Sequence, residues 1–205
     1  MRDETIAQFL TQLAARVPVP GGGATAALHA AQSAALLAMV ARYSDGPKYA
    51  EHAAIIDRVR TEADGLVTDA LGLAEDDAAA FGAVAEAYKL PKDTDEDKTL
   101  RSAAIEAALA GAAKPPADVV LAALRLAQLS EELVPVANRN VLSDVGVAAE
   151  TARAAAVTAA LNIEINLHGI KDTELHAQFH GTATLTSEVT AIADRVLATV
   201  RREIA

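Results

Sequence analysis

The 205-residue chain has no cysteine and no tryptophan, and its aromatics are three tyrosines and three phenylalanines. Without cysteine there are no disulfides, no thiolate nucleophile and no cysteine-ligated zinc. With so few aromatic rings there is little on which unpaired bases could stack. Positive charge is also scarce: 18 Lys and Arg stand against 28 Asp and Glu, a formal net charge of -10. A field of that sign repels phosphate backbones, and no basic stripe interrupts it, so no nucleic-acid partner is expected.

Strand-like alternation of β-branched residues between turn signals is missing as well, which leaves the helical period to run from end to end. The stretch Gly21 to Ala41 contains no charged residue and is long enough to cross a bilayer. Alanine dominates it, however, and Thr25, His29, Gln32 and Ser33 would need partners in lipid, so it reads as a core helix and no membrane partner is expected. Met1-Arg2-Asp3-Glu4 is acidic where a secretory leader is basic, and the stretch behind it is amphipathic. A cytoplasmic location is expected.

What is present is alanine on helical spacing. The pattern predicts one all-α domain over residues 1–205, a bundle of long alanine-rich helices large enough to bury roughly 70% of its unfolded surface. A first helix is expected over Asp3 to Arg16, closed by Pro18 and Pro20. A second follows Gly21-Gly22-Gly23, with Leu28, Ala35, Leu36, Met39, Val40 and Tyr43 as its packing face. After the break at Asp45-Gly46-Pro47, apolar spacing continues from Ile55 to Tyr88, which predicts one very long helix or two collinear ones. Thr94 starts a helix to about Gly111, and Pro115-Pro116 is expected to open another, to about Ala137. Two more run from Val141 to Leu167 and from Lys171 onward.

Four polar groupings interrupt the apolar pattern. Gly21, Gly22 and Gly23 stand at a helix N-terminus, where bare N–H groups and the helix dipole favour an anion, or where glycines simply make a tight turn. The stretch lacks the lysine of a phosphate loop and the spacing of a dinucleotide fingerprint. Asp77, Phe81, Val84 and Tyr88 share one stripe, placing a carboxylate and a phenol on a row expected to face the core, unless Asp77 lies on a solvated edge. Asn138, Asn140, Ser143 and Asp144 crowd a helix start, either as caps or as a polar site. Asn162 and Asn166 lie one turn apart in an apolar segment, where they can serve a ligand or neighbouring backbone.

The histidines are weaker candidates. His176 and His180 are four apart but lack a third ligand and a glutamate base, so no metal is expected. His29 is expected to be a satisfied core or interface residue, and His52 and His168 solvated.

Taken in order, several short motifs resemble the cyclodeaminase/cyclohydrolase family of tetrahydrofolate enzymes nearly end to end. They are Thr5-Ile6 with Phe9-Leu10, Pro20-Gly21-Gly22-Gly23, Met39-Val40, Lys48-Tyr49, Asp77 with Ala80-Phe81, and Ala87-Tyr88 with Leu90-Pro91-Lys92. Asn138, Asn140, Ser143-Asp144 and Gly146-Val147 follow, then Ala160-Leu161-Asn162-Ile163 with Ile165-Asn166. Departures fall at Ala24, where the family often has serine, and at His29 and Gln32, where small residues are usual.

The resemblance implies a cyclodeaminase-like homodimer binding a reduced folate between long helices, with no cofactor beyond the tetrahydrofolate substrate. It implies methenyltetrahydrofolate cyclohydrolase activity, with formiminotetrahydrofolate cyclodeaminase as the neighbouring reaction; a non-catalytic folate-binding dimer would keep the same fold. On this resemblance Asp144 is the base or cation stabiliser and Asp77 the second carboxylate. Asn138, Asn140 and Asn162, with Ser143, would orient pterin or water, Gly21 to Gly23 would offer N–H groups, and Tyr49 and Tyr88 would border the ligand. Lys48 or Lys92 would meet the glutamate tail. A helical adaptor for a protein partner, by contrast, would expose a large apolar seam.

Overall fold

The computed structural model describes residues 2–205, and among them every regular element is helical. The helices are α1 (Ile6–Leu13), α2 (Gly22–Tyr43), α3 (Ala53–Lys89), α4 (Asp95–Leu133), α5 (Leu142–Leu167), α6 (Thr173–Thr184) and α7 (Thr186–Ile204). Short 3-10 turns precede α3 (Pro47–His52) and α5 (Arg139–Val141).

The core lies where α2, α4 and α5 meet, and it is built of small side chains. Ala26, Ala27, Ala30 and Ala34 of α2 and Ala148, Ala152, Ala155 and Ala159 of α5 are fully buried. Small contact residues let helix axes approach closely. The approach is close enough for the Ser33 hydroxyl to donate across the gap to the Ala148 carbonyl at 2.8 Å. Gly22 lies beside Asn162, and the Asn138 N–H donates to Ser44 Oγ at 2.8 Å, so α2 and α5 run antiparallel over their full length. Although α2 is long and apolar enough to cross a bilayer, as is α4, most of it faces the bundle interior, as expected of a core helix.

Three boundaries differ from the sequence reading. The first helix is only Ile6–Leu13, held by a Thr5/Gln8 capping box and followed by an irregular path through a cis Val19–Pro20 bond. It buries none of its residues fully, and Ile6 and Leu10 face outward. Pro115-Pro116 opens no helix, because α4 runs straight through it. Proline at 116 removes the N–H that would bond the Ala112 carbonyl. The Asn166 amide of α5 donates to that carbonyl instead, at 3.1 Å, and so relieves the break. The final helix is two: Asp172 caps α6 through the Glu174 and Leu175 N–H groups, and the chain turns at Leu185 to begin α7.

The stripe of Asp77, Phe81, Val84 and Tyr88 is not a core row. Phe81 is 46% and Tyr88 53% exposed, because this end of α3 has few neighbours. Arg101 covers the Tyr88 ring at 5.5 Å and donates to its carbonyl.

Candidate active site

Helix α2 begins without a side-chain cap of its own: Gly21 is the N-cap, and no hydroxyl or amide from the preceding turn accepts its first N–H groups. A carboxylate from α3 fills that role. Asp77 accepts a hydrogen bond from the Ala24 N–H. Glycine at 23 is what admits it, since a Cβ there would lie 1.9 Å from Asp77 Oδ1 and 2.3 Å from its Cγ.

Two influences act on Asp77 in opposite directions. Burial disfavours its charge and dominates, lifting the carboxyl above the ordinary aspartate value. The Ala24 N–H, at the positive end of the α2 dipole, pulls the other way. The outcome is a half-buried carboxyl raised above the ordinary aspartate value, held against the Ala24 N–H. That is the environment a positioned acid or base needs.

Asn162 completes the corner from α5. A Cβ at Gly22 would sit 3.4 Å from both its Oδ1 and its Nδ2, an ordinary contact, so the amide lies directly against the start of α2. The Asn162 amide donates to the Thr158 carbonyl at 2.7 Å, which fixes its orientation and leaves Oδ1 as the acceptor. Asn166, one turn on, donates to the Asn162 carbonyl at 2.9 Å as well as to Ala112, so it supports the backbone. Gly21 to Gly23, Asp77 and Asn162 therefore meet at one place. Tyr88 and Lys92 lie farther out at this same end. There Lys92 lines a cavity of about 260 Å³ with Lys98, Arg101 and Lys171, a cationic cluster in an acidic protein.

The remaining candidates are elsewhere. Lys48 and Tyr49 sit on the 3-10 turn at the far end of α2, with Lys48 Nζ 5.4 Å from the Tyr49 ring centre. Asn138, Asn140, Ser143 and Asp144 stand at the start of α5. Eighteen residues at the helical rise put Asp144 about 27 Å from Asn162 along α5. Asn138 is fully engaged there: its amide donates to the Tyr43 carbonyl at 2.8 Å, and its Oδ1 accepts from the Asn140 N–H at 3.1 Å. It ties the end of α2 to the start of α5. Asn140 and Ser143 are exposed and Asp144 is half-buried.

The histidine readings divide. His176 and His180 stack with ring centres 6.5 Å apart, and among the described residues no three metal-ligating side chains come together. His168 is exposed and bonds the Glu164 carbonyl. His29 is not satisfied as expected: its Nδ1 is buried without a partner, between grooves on either side of α2. Sequence reading missed the cationic partners Lys98, Arg101 and Lys171, because α4 contributes two of them and the turn between α5 and α6 the third.

A helical bundle that holds a raised carboxyl and an oriented amide at the glycine start of a largely apolar helix has the parts of an acid–base enzyme. The formiminotransferase-cyclodeaminase family matches residues 5–184, and the chain belongs to that family. It is 38% identical to a methenyltetrahydrofolate cyclohydrolase of Methylorubrum extorquens, over 98% of both chains. It is 31% identical to the formimidoyltransferase-cyclodeaminase of Mus musculus over 87% of this chain, which spans 33% of that longer protein. The crystal structure of a formiminotetrahydrofolate cyclodeaminase from Thermotoga maritima superposes with a TM-score of 0.88, at 25% identity, covering 100% of this chain and 99% of that one.

Proposed function

We propose that this protein is a methenyltetrahydrofolate cyclohydrolase, and the observation that carries the reading is the half-buried Asp77 carboxyl at the N-terminus of α2. The full-length similarity to a cyclohydrolase supports it. In the reaction, water adds to the cationic carbon bridging two folate nitrogens, with loss of a proton. One carbon–nitrogen bond then breaks: the freed nitrogen gains a proton, the new hydroxyl loses its own, and a formyl group remains on the other nitrogen.

Asp77 suits both halves of that sequence. As the carboxylate it stabilises the cation and takes the proton of the attacking water; as the acid it returns a proton to the departing nitrogen. The Asn162 amide orients water or the pterin edge, and exposed Phe81, one turn beyond Asp77, offers a flat apolar surface. Lys92 serves the glutamate tail better than Lys48, since it lies at the Asp77 end among further cations. The protein acts as a homodimer on a reduced folate, without metal or redox cofactor.

Formiminotetrahydrofolate cyclodeaminase is the second reading, favoured by the likeness to the Thermotoga maritima structure. There a folate nitrogen closes onto the formimino carbon and ammonia leaves, through the same kind of tetrahedral carbon. Purified protein assayed with methenyl- and with formimino-tetrahydrofolate, each with and without chelator, separates the two. Chelator-insensitive hydrolysis of the methenyl substrate is expected. Ammonia release alone selects the second reading, and binding without turnover of either substrate overturns both.

A further inference from the structure

Asn166 sits half-buried in the last turn of α5, and its amide is held at both hydrogens. Nδ2 donates to the Asn162 carbonyl at 2.9 Å within α5 and to the Ala112 carbonyl at 3.1 Å on α4. An amide nitrogen has two hydrogens, so the side chain cannot flip without losing both bonds. Oδ1 is thereby fixed in direction. It takes no hydrogen bond from any described residue, and it is not closed off from solvent.

Prolines on α4 create this arrangement. Pro115 and Pro116 lack the N–H groups that would bond the Gly111 and Ala112 carbonyls within the helix. Gly111 is exposed, so water can serve its carbonyl, whereas Ala112 is buried and depends on Asn166. The tie uses only the nitrogen of the amide and leaves an oriented acceptor over.

The register of the helices sets what that acceptor borders. Asn162 lies beside Gly22, the first residue of α2, and the two helices are antiparallel. Asn166, four residues on, therefore stands about 6 Å beyond the start of α2, level with the space into which its first N–H groups open. Helix α3 is antiparallel to α2 as well, with Asp77 against Gly23 and Asp64 bonded to Arg42. Phe81, one turn past Asp77, thus stands beyond the start of α2 in its turn. An exposed aromatic ring on α3 and two oriented amides on α5 border one space, together with Asp77.

We propose that Asn166 is a substrate-binding residue, whose Oδ1 accepts from the 2-amino group of the pterin while Asn162 Oδ1 accepts from the ring N–H next to it. The assignment rests on the folate reading above. Side chains four apart on a helix are neighbours, so the two amide oxygens form one short row of acceptors. A reduced pterin offers the matching row: an amino group beside ring N–H groups, on the edge of a flat bicycle. That edge lies at the opposite end of the ring system from the carbon bridge. A pterin held by its donors on α5 therefore keeps the reacting carbon clear of the two asparagines, for Asp77 on α3 to reach.

Pro116→Ala separates this role from a merely structural one, because it lets α4 bond its own Ala112 carbonyl. In that background Asn166→Leu is expected to melt close to the Pro116→Ala parent. It should still raise KM for methenyltetrahydrofolate about tenfold, as for one lost hydrogen bond, with kcat within about threefold. A double variant with the parental KM overturns the assignment.

The second arm leaves the Asn166 side chain intact and changes the ligand. Calorimetric titration of wild type with tetrahydrofolate and with its analogue bearing a 2-methyl in place of the 2-amino group is expected to show the analogue about tenfold weaker. With Pro116→Ala and Asn166→Leu combined, the two compounds are expected to bind within about threefold of each other. Equal binding by wild type, or a preference that survives the loss of Asn166, overturns the assignment and leaves Asn166 a tie between helices. A wild-type protein that binds neither compound and turns over no methenyltetrahydrofolate overturns the folate reading instead.

Discussion

Gly23 and Asp77 occupy one space: a Cβ on the glycine would lie 1.9 Å from one carboxylate oxygen and 2.6 Å from the other. The glycine is therefore needed for what it lacks, and its helical backbone makes no special demand on φ. Gly23→Ala is expected to push the carboxylate off the Ala24 N–H while α2 itself stays helical. Turnover should fall at least about a hundredfold, as when a positioned proton-transfer group is lost, with helical circular dichroism unchanged. A Gly23→Ala protein of near-wild-type activity means Asp77 reaches the substrate by another path.

Burial of Asp77 costs stability when the group is charged. Its folded pKa lies above the unfolded value, so the folded state is favoured below the unfolded pKa and loses that advantage as pH rises through the folded one. Asp77→Asn removes this dependence while keeping an acceptor for Ala24. Melting temperatures measured from about pH 4 to 8 should show the variant gaining on wild type toward neutrality. The opposite trend would mean the helix dipole outweighs burial and Asp77 is chiefly a cap.

Glu62 provides the contrast in the same titration. Its hydrogen bond to Arg125 holds it below the usual carboxylate range, with Arg58 adding to the effect. That contribution is present at neutral pH and fades as pH falls through the folded value. The Arg125, Glu62 and Glu132 side chains remain 33–34% exposed and so are screened by solvent, so Arg125→Ala should lower the melting temperature only slightly at neutral pH and not at all in acid. A large loss that persists in acid would contradict this.

Asn138 is expected to be structural. Its amide already holds the Tyr43 carbonyl and the Asn140 N–H, and two such bonds are worth about 1–3 kcal/mol together. Asn138→Ala should lower the melting temperature by several degrees and leave turnover per folded molecule within about threefold. A change in KM at unchanged stability would return Asn138 to the site.

Asn166 and Pro116 should be coupled. Asn166→Leu leaves the Ala112 carbonyl without a donor and should cost about 1–3 kcal/mol. Pro116→Ala supplies the missing N–H from within α4, so the same asparagine change should cost less in that background. Equal costs by denaturant unfolding in both backgrounds would refute the compensation.

That coupling marks where sequence reading stops. Alanine spacing was enough for α2, α3 and α5, because burying small residues on one face is a local pattern. Pro115-Pro116 read as a helix start, since proline signals a break in its own sequence, and only an amide 50 residues away cancels it. The site was legible in its parts. Glycines before a helix, a carboxylate in an apolar stripe and a lone asparagine each stood out, but their meeting depends on the antiparallel register of three helices. The placing of Asp144 far from Asp77 in the same chain depends on that register too. Phe81 and Tyr88 were misread as core because periodicity reports a stripe and cannot report whether anything covers it.

Asp77 carries the central claim, and the direct measurement is steady-state hydrolysis of methenyltetrahydrofolate by wild type and Asp77→Asn at matched folded concentration. A loss of roughly 10²–10⁴ in kcat, with melting temperature equal to or above wild type at neutral pH, is the expected result. Turnover within about tenfold of wild type in a folded variant would contradict the assignment of Asp77 as the proton-transferring group.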